Sequence, residues 1–105
     1  FIHVTDLSEI HILSISYLLK RKKSQIFNCG YGKGFSVLQI IRSFNELLNN
    51  KIEYRFGPRR PGDIEKLVSN CSKVKKTLKW KPKYNQLKTI LTTALNWEKK
   101  IISFK

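Results

Sequence analysis

The apolar positions fall into two periodicities that alternate along the chain. Phe1 to Thr5 is a short apolar, β-branched run and predicts a strand. Asp6, with Glu9 three residues later, has the spacing of a capping box and predicts a helix running to about Lys20, closed by the basic cluster Lys20 to Lys23. Gln25 to Asn28 reads as a brief strand leading into Gly30, Gly32 and Gly34. Ser36 and Gln39 form a second capping box, after which Val37, Ile40, Ile41, Phe44 and Leu48 recur at helical spacing until Asn49-Asn50. Lys51 to Phe56 then alternates as a strand does.

The second half is more broken. Gly57-Pro58-Arg59-Arg60-Pro61-Gly62-Asp63 carries two prolines that lack amide donors and two glycines that permit a tight path, so it predicts a stiffened loop. Leu67-Val68 is a further short strand candidate. Ser72 caps a short helix through Leu78, Trp80-Lys81-Pro82 breaks it, and Leu87, Ile90, Leu91, Ala94 and Leu95 mark a final amphipathic helix. Short strands alternating with helices predict an α/β arrangement whose small sheet needs cover from elsewhere. With 105 residues there is room for one domain at most, spanning 1–105, and the absence of methionine predicts a piece of a longer protein.

Charge changes the picture less than its size suggests. The net charge is +14, and it is uneven: residues 51–105 hold fifteen Lys or Arg against four acids. An anionic partner fits that balance, but net charge speaks to encounter rather than to fold. Six lysines between Lys73 and Lys83, interleaved with Trp80 and Tyr84, have the composition of a nucleic-acid surface. The more ordinary account is a solvated face with its aromatics turned inward. Cys29 and Cys71 lie far apart without CxxC spacing and predict reduced thiols in a cytoplasmic protein, with no metal site. No apolar run approaches the ~20 residues of a membrane span, so no membrane partner is expected.

Candidate chemistry is sparse. Gly30-Tyr31-Gly32-Lys33-Gly34-Phe35-Ser36 superficially suits a dinucleotide-binding turn, yet the third glycine of that fingerprint would fall at 35, where the chain has Phe. The run reads instead as a loop passing close to a neighbour or ligand while Ser36 caps a helix. His3 and His11 have no ligand partners at metal spacing and predict structural roles. No nucleophile and base stand at a spacing that lets them act as a unit. Arg59, Arg60 and Asp63, held in the stiffened loop, suit a ligand that offers phosphates to a guanidinium and hydroxyls to a carboxylate, and taken alone they suit solvated surface charge equally well.

The segments FIHVTDL, FNCGYGKGFSVLQII, GPRRPGDIEKLVSN, SKVKKTLKWKPKY and LNWEKK, in that order, resemble the carboxy-terminal third of the UDP-glucose 4-epimerases, extended short-chain dehydrogenase/reductases. The resemblance runs from Phe1 to about Lys100, and PRRPGD is its most selective element. It implies the small substrate-binding part of a two-domain enzyme whose Rossmann domain, absent from this sequence, holds NAD and the catalytic tyrosine and lysine. No residue of this chain is therefore expected to be catalytic or to bind the cofactor. By the same resemblance Arg60 matches the arginine on the UDP phosphates and Asp63 the acid on the uridine ribose. Phe1 stands beside the nucleotide where the family usually has tyrosine, and Leu67 lines the sugar pocket.

The implied partners are UDP-glucose and UDP-galactose, interconverted through a 4-keto intermediate, with a homodimeric parent left open. The chain departs from the family at Ser69-Asn70-Cys71, where an aspartate is usual, and at Lys79, where glycine usually precedes Trp80. A related nucleotide-sugar epimerase or dehydratase, or an independent basic module for nucleic acid, are the competing readings.

Overall fold

The computed structural model describes residues 1–104. The described residues form four helices: α1 (Val4–Arg21), α2 (Val37–Leu48), α3 (Ser72–Leu78) and α4 (Leu87–Ser103). Among the described residues there is no strand, which corrects the expected α/β class. The segments read as strands, 25–28, 51–56 and 67–68, lie outside regular structure. Alternation specifies which side chains share a face, but a strand exists only where a neighbour completes its hydrogen-bond ladder. Two compact units result, Phe1–Lys33 with Val68–Asn85 and Gly34–Leu67 with Gln86–Lys105.

In the first unit the expected strand at 1–5 is overturned by an earlier helix start. His3 is the N-cap of α1: its Nδ1 accepts from the Thr5 amide at 3.1 Å, and its carbonyl accepts from the Leu7 amide at 3.0 Å. Asp6 therefore lies in the first turn rather than at the cap, and its carboxylate points into the unit. Lys20 and Arg21 occupy the last turn, as the dipole favours, and Lys22 ends the helix in the left-handed region at φ 51°.

The core of this unit is Ile10 of α1, Cys71, Val74 of α3, and Trp80, with Ile2, Leu13, Phe27, Tyr31 and Leu78 packed against it. Each such side chain, fully buried, stabilises by roughly 1.5–3 kcal/mol. Tyr31 and Trp80 stack at 6.3 Å between ring centroids. Cys71, not Ser72, precedes the first helical residue of α3, and the Asn70 Oδ1 accepts the Ser72 amide at 3.1 Å. The departure at Asn70 is thus absorbed locally at the start of α3. Lys79 closes α3 at φ 53°, the left-handed position that glycine fills without strain.

The second unit follows its predicted capping box closely. The Gln39 amide donates to Ser36 Oγ at 3.2 Å, and the Ser36 amide donates to Gln39 Oε1 at 2.7 Å. Asn49 ends α2 at φ 48°, and Asn45 Oδ1 accepts the Ile52 amide at 2.8 Å, fastening the chain as it leaves the helix. Helices α2 and α4 pack together, and α4 runs on past Leu95 to Ser103. Leu91 is the only buried residue of these two helices. Residues 53–68 are exposed throughout.

Candidate functional site

The proline-glycine loop folds as its composition dictates. The Asp63 amide donates to the Arg60 carbonyl at 3.3 Å, so Arg60 to Asp63 close a tight turn. Pro61 presets the second position, and Gly62 supplies φ +84° at the third, the residue order of a type II turn. A Cβ at Gly62 would meet nothing within 4 Å, so backbone conformation, not crowding, calls for glycine there.

That turn brings together two of the four residues singled out from the sequence. Arg60 Nε donates to Asp63 Oδ2 at 3.1 Å, with side-chain exposures of 84% and 46%. Exposed pairs of this kind stabilise by about 0–1 kcal/mol, so a ligand can open the pair at little cost. The Arg60 guanidinium has five N–H donors in a planar fork, suited to bidentate contact with phosphate. Arg59 Nη2 donates to the Asp63 carbonyl at 3.2 Å. Leu67 follows four residues later, 82% exposed, and Phe1 is exposed in the other unit. The loop sets an exposed guanidinium beside a part-exposed carboxylate.

The group that sequence reasoning missed is Asp6. Fully buried, it accepts from the Tyr31 hydroxyl at 2.6 Å, the Lys83 amide at 3.1 Å and the Tyr84 amide at 3.0 Å. Burial pushes its carboxyl up, but the Tyr31 hydroxyl, the two amides and the nearby His3 outweigh burial and hold it below the ordinary value. Burial and the bond to Asp6 push the Tyr31 hydroxyl up to about 12. His3 stacks on Tyr84 at 4.6 Å, and its amide donates to the Tyr31 oxygen at 2.9 Å. Lys83 Nζ reaches Glu9 Oε1 at 2.9 Å. Partners 25, 77 and 78 residues from Asp6 leave no trace in local spacing, so only the fold shows the hub. Its satisfied bonds mark it as an organiser of the first unit rather than a reacting group.

The glycine run does not fit a dinucleotide. A Cβ at Gly30 would lie 2.9 Å from Ser69 Cβ, and one at Gly32 would lie 3.5 Å from Cys71 Sγ. The loop packs closely against Ser69 and Cys71, and no strand among the described residues leads into it, as such a turn requires. The aromatics among the lysines are likewise occupied: Trp80 is 2% exposed, and Tyr84 lies against His3.

No protein-family model matches the chain. Curated proteins do match it. It is 37% identical over 101 residues to the UDP-glucose 4-epimerase of Azospirillum brasilense, covering 96% of this chain and 29% of that protein. It is 39% identical over 97 residues to the UDP-glucose 4-epimerase of Lacticaseibacillus casei, covering 92% of this chain and 29% of that protein. It is 41% identical over 101 residues to UDP-glucose 4-epimerase 4 of Oryza sativa subsp. japonica, covering 95% and 27%.

The chain is homologous to the UDP-glucose 4-epimerases.

It spans less than a third of the length of these relatives, so the similarity concerns one region of a longer epimerase sequence. Across almost the whole of this chain, the matched region takes in both the open loop with Arg60 and Asp63 and the buried hub around Asp6. No helix among the described residues is long and apolar enough to cross a membrane.

Proposed function

We propose that this chain is the carboxy-terminal, nucleotide-sugar-binding region of a UDP-glucose 4-epimerase. In that role Arg60 holds the UDP diphosphate, and Asp63 accepts from the ribose hydroxyls. The observation that carries the reading is the turn at Arg60–Asp63, which sets a guanidinium and a carboxylate 3.1 Å apart on an open loop inside a sequence similar to epimerases from end to end. The ligand replaces a weak ion pair with two matched contacts: phosphate takes the guanidinium, and the freed carboxylate takes hydroxyls. Phe1 lies beside the nucleotide, and the size of Leu67 governs which sugars fit.

The whole enzyme interconverts UDP-glucose and UDP-galactose. Its hydride at sugar C4 passes to and from NAD by way of a 4-keto sugar, and the NAD is held by residues outside this chain. Such a reaction needs the diphosphate fixed while the sugar turns, which is a use of binding energy remote from the reacting carbon. This chain supplies that anchor and is inactive alone.

The test is a chimera in which residues 1–105 replace the matching region of the Lacticaseibacillus casei relative. The expected result is interconversion of UDP-glucose and UDP-galactose, reduced by about tenfold or more in Arg60→Ala through loss of a charge-assisted contact. A folded chimera that is inactive, or whose Arg60→Ala variant is as active as its parent, would contradict the assignment.

A further inference from the structure

Asp63 is held at each of its polar ends by a different bond. Its amide donates to the Arg60 carbonyl at 3.3 Å, its Oδ2 accepts from Arg60 Nε at 3.1 Å, and its carbonyl accepts from Arg59 Nη2 at 3.2 Å. The last two bonds differ in what a ligand does to them. A nucleotide that takes the Arg60 guanidinium and the Asp63 carboxylate removes the ion pair between them. The bond from Arg59 goes to the Asp63 carbonyl rather than to either of those groups, so taking them does not remove it. It also closes the loop one residue further back than the turn, across Pro61 and Gly62.

We infer that Arg59 is a positioning residue of this loop: resting on the proposed role of Asp63, it fixes the Asp63 backbone so that the carboxylate is already oriented when the Arg60 pair opens. Arg59 and Arg60 are adjacent and chemically identical, yet they do different work. Arg60 meets the phosphates, whereas Arg59 lowers the ordering cost of the segment that meets the ribose. A loop exposed from residue 53 to residue 68 buries no side chain that could perform that ordering, so the bond from Arg59 takes its place.

The two roles separate by ligand. Uridine carries the ribose without phosphates, and UDP carries both. Calorimetric titration of the 105-residue chain with each ligand is the test, far-UV circular dichroism having shown that every variant keeps its helices. Arg59→Ala is expected to weaken uridine and UDP by the same factor, about fivefold for the loss of one ordering hydrogen bond. Arg59→Lys, whose ammonium reaches the same carbonyl, recovers most of that loss. Arg60→Ala weakens UDP by about tenfold or more and uridine by less than about twofold.

If Arg59→Ala weakens UDP but not uridine, Arg59 is a second phosphate ligand and the inference is overturned. If it weakens neither, the inference fails as well, while the functional reading stands. An unaltered chain that binds neither ligand, or an Asp63→Asn variant that binds both as well as its parent, overturns the functional reading itself.

Discussion

The two units of this chain solve the problem of being ordered in opposite ways. In the first, a fully buried carboxylate collects a hydroxyl and two amides, and Ile10, Cys71, Val74 and Trp80 close over α1 and α3. In the second, Leu91 is the only buried residue of the two helices, and fifteen consecutive residues, 53–67, lie open to solvent. The difference places stability in one stretch of sequence and, on the proposed function, recognition in another. The hub is satisfied internally and has no capacity left for a ligand. The loop has little holding it, and its charged side chains are free to exchange partners.

The largest effect should come from the hub. Asp6→Ala leaves the part-buried Lys83 and Tyr84 amides without their acceptor at about 1–3 kcal/mol each, while the Tyr31 hydroxyl keeps the Tyr84 carbonyl at 3.3 Å, so a loss of about 4 kcal/mol is expected in urea unfolding followed by Trp80 fluorescence in a Trp97→Phe background. Acid should act through the same carboxyl. Its value in the folded state lies below 3.8, so its stabilisation is complete above that pH and is lost as the pH falls through the folded value. The Trp80 signal should therefore be steady at pH 5 and collapse below about pH 4. In Asp6→Asn, that portion of the pH dependence should be absent.

In the second unit, Leu91→Ala should cost about 2 kcal/mol, at the low end for leucine because half-exposed neighbours can close over the gap. A cost equal to that of Asp6→Ala would erase the contrast between the units. Lys79→Gly should raise the stability of the first unit by about 1 kcal/mol, because it removes a side chain from a left-handed position. No gain would show that the strain is relieved elsewhere. Arg60→Ala should change unfolding by less than about 0.5 kcal/mol, since both partners of its ion pair are exposed. A larger cost would make the loop part of the stabilising structure.

What the sequence disclosed follows the range of the interactions involved. The Ser36–Gln39 box, the stop at Asn49 and the turn at Arg60–Asp63 rest on contacts within four residues, and each is legible from spacing and composition. The strands at 25–28 and 51–56 are not realised, because alternation records a face but not whether a partner strand exists. Asp6 and Glu9 have capping-box spacing, but the helix starts two residues before Asp6, where His3 caps it instead. A tertiary demand on that carboxylate, made by residues more than seventy positions away, overrode a local signal. Among the candidate ligands, adjacency disclosed the Arg60–Asp63 pair. The distinct work of Arg59 needed the direction of its side chain.

On the proposed function the open loop, and not the lysine-rich surface, takes the ligand. The first unit carries eleven lysines and arginines against only Asp6 and Glu9, both already engaged. Any polyanion therefore has an alternative place to bind. Titration of the nitrogen-15-labelled chain with UDP, read as amide shifts residue by residue, separates the two. The expected result is a saturable set of shifts centred on Arg59 to Asp63, unchanged by an equal concentration of inorganic diphosphate. Shifts confined to Lys73 to Lys83, reproduced by diphosphate and abolished by moderate salt, would contradict it and leave a basic surface as the binding element of the chain.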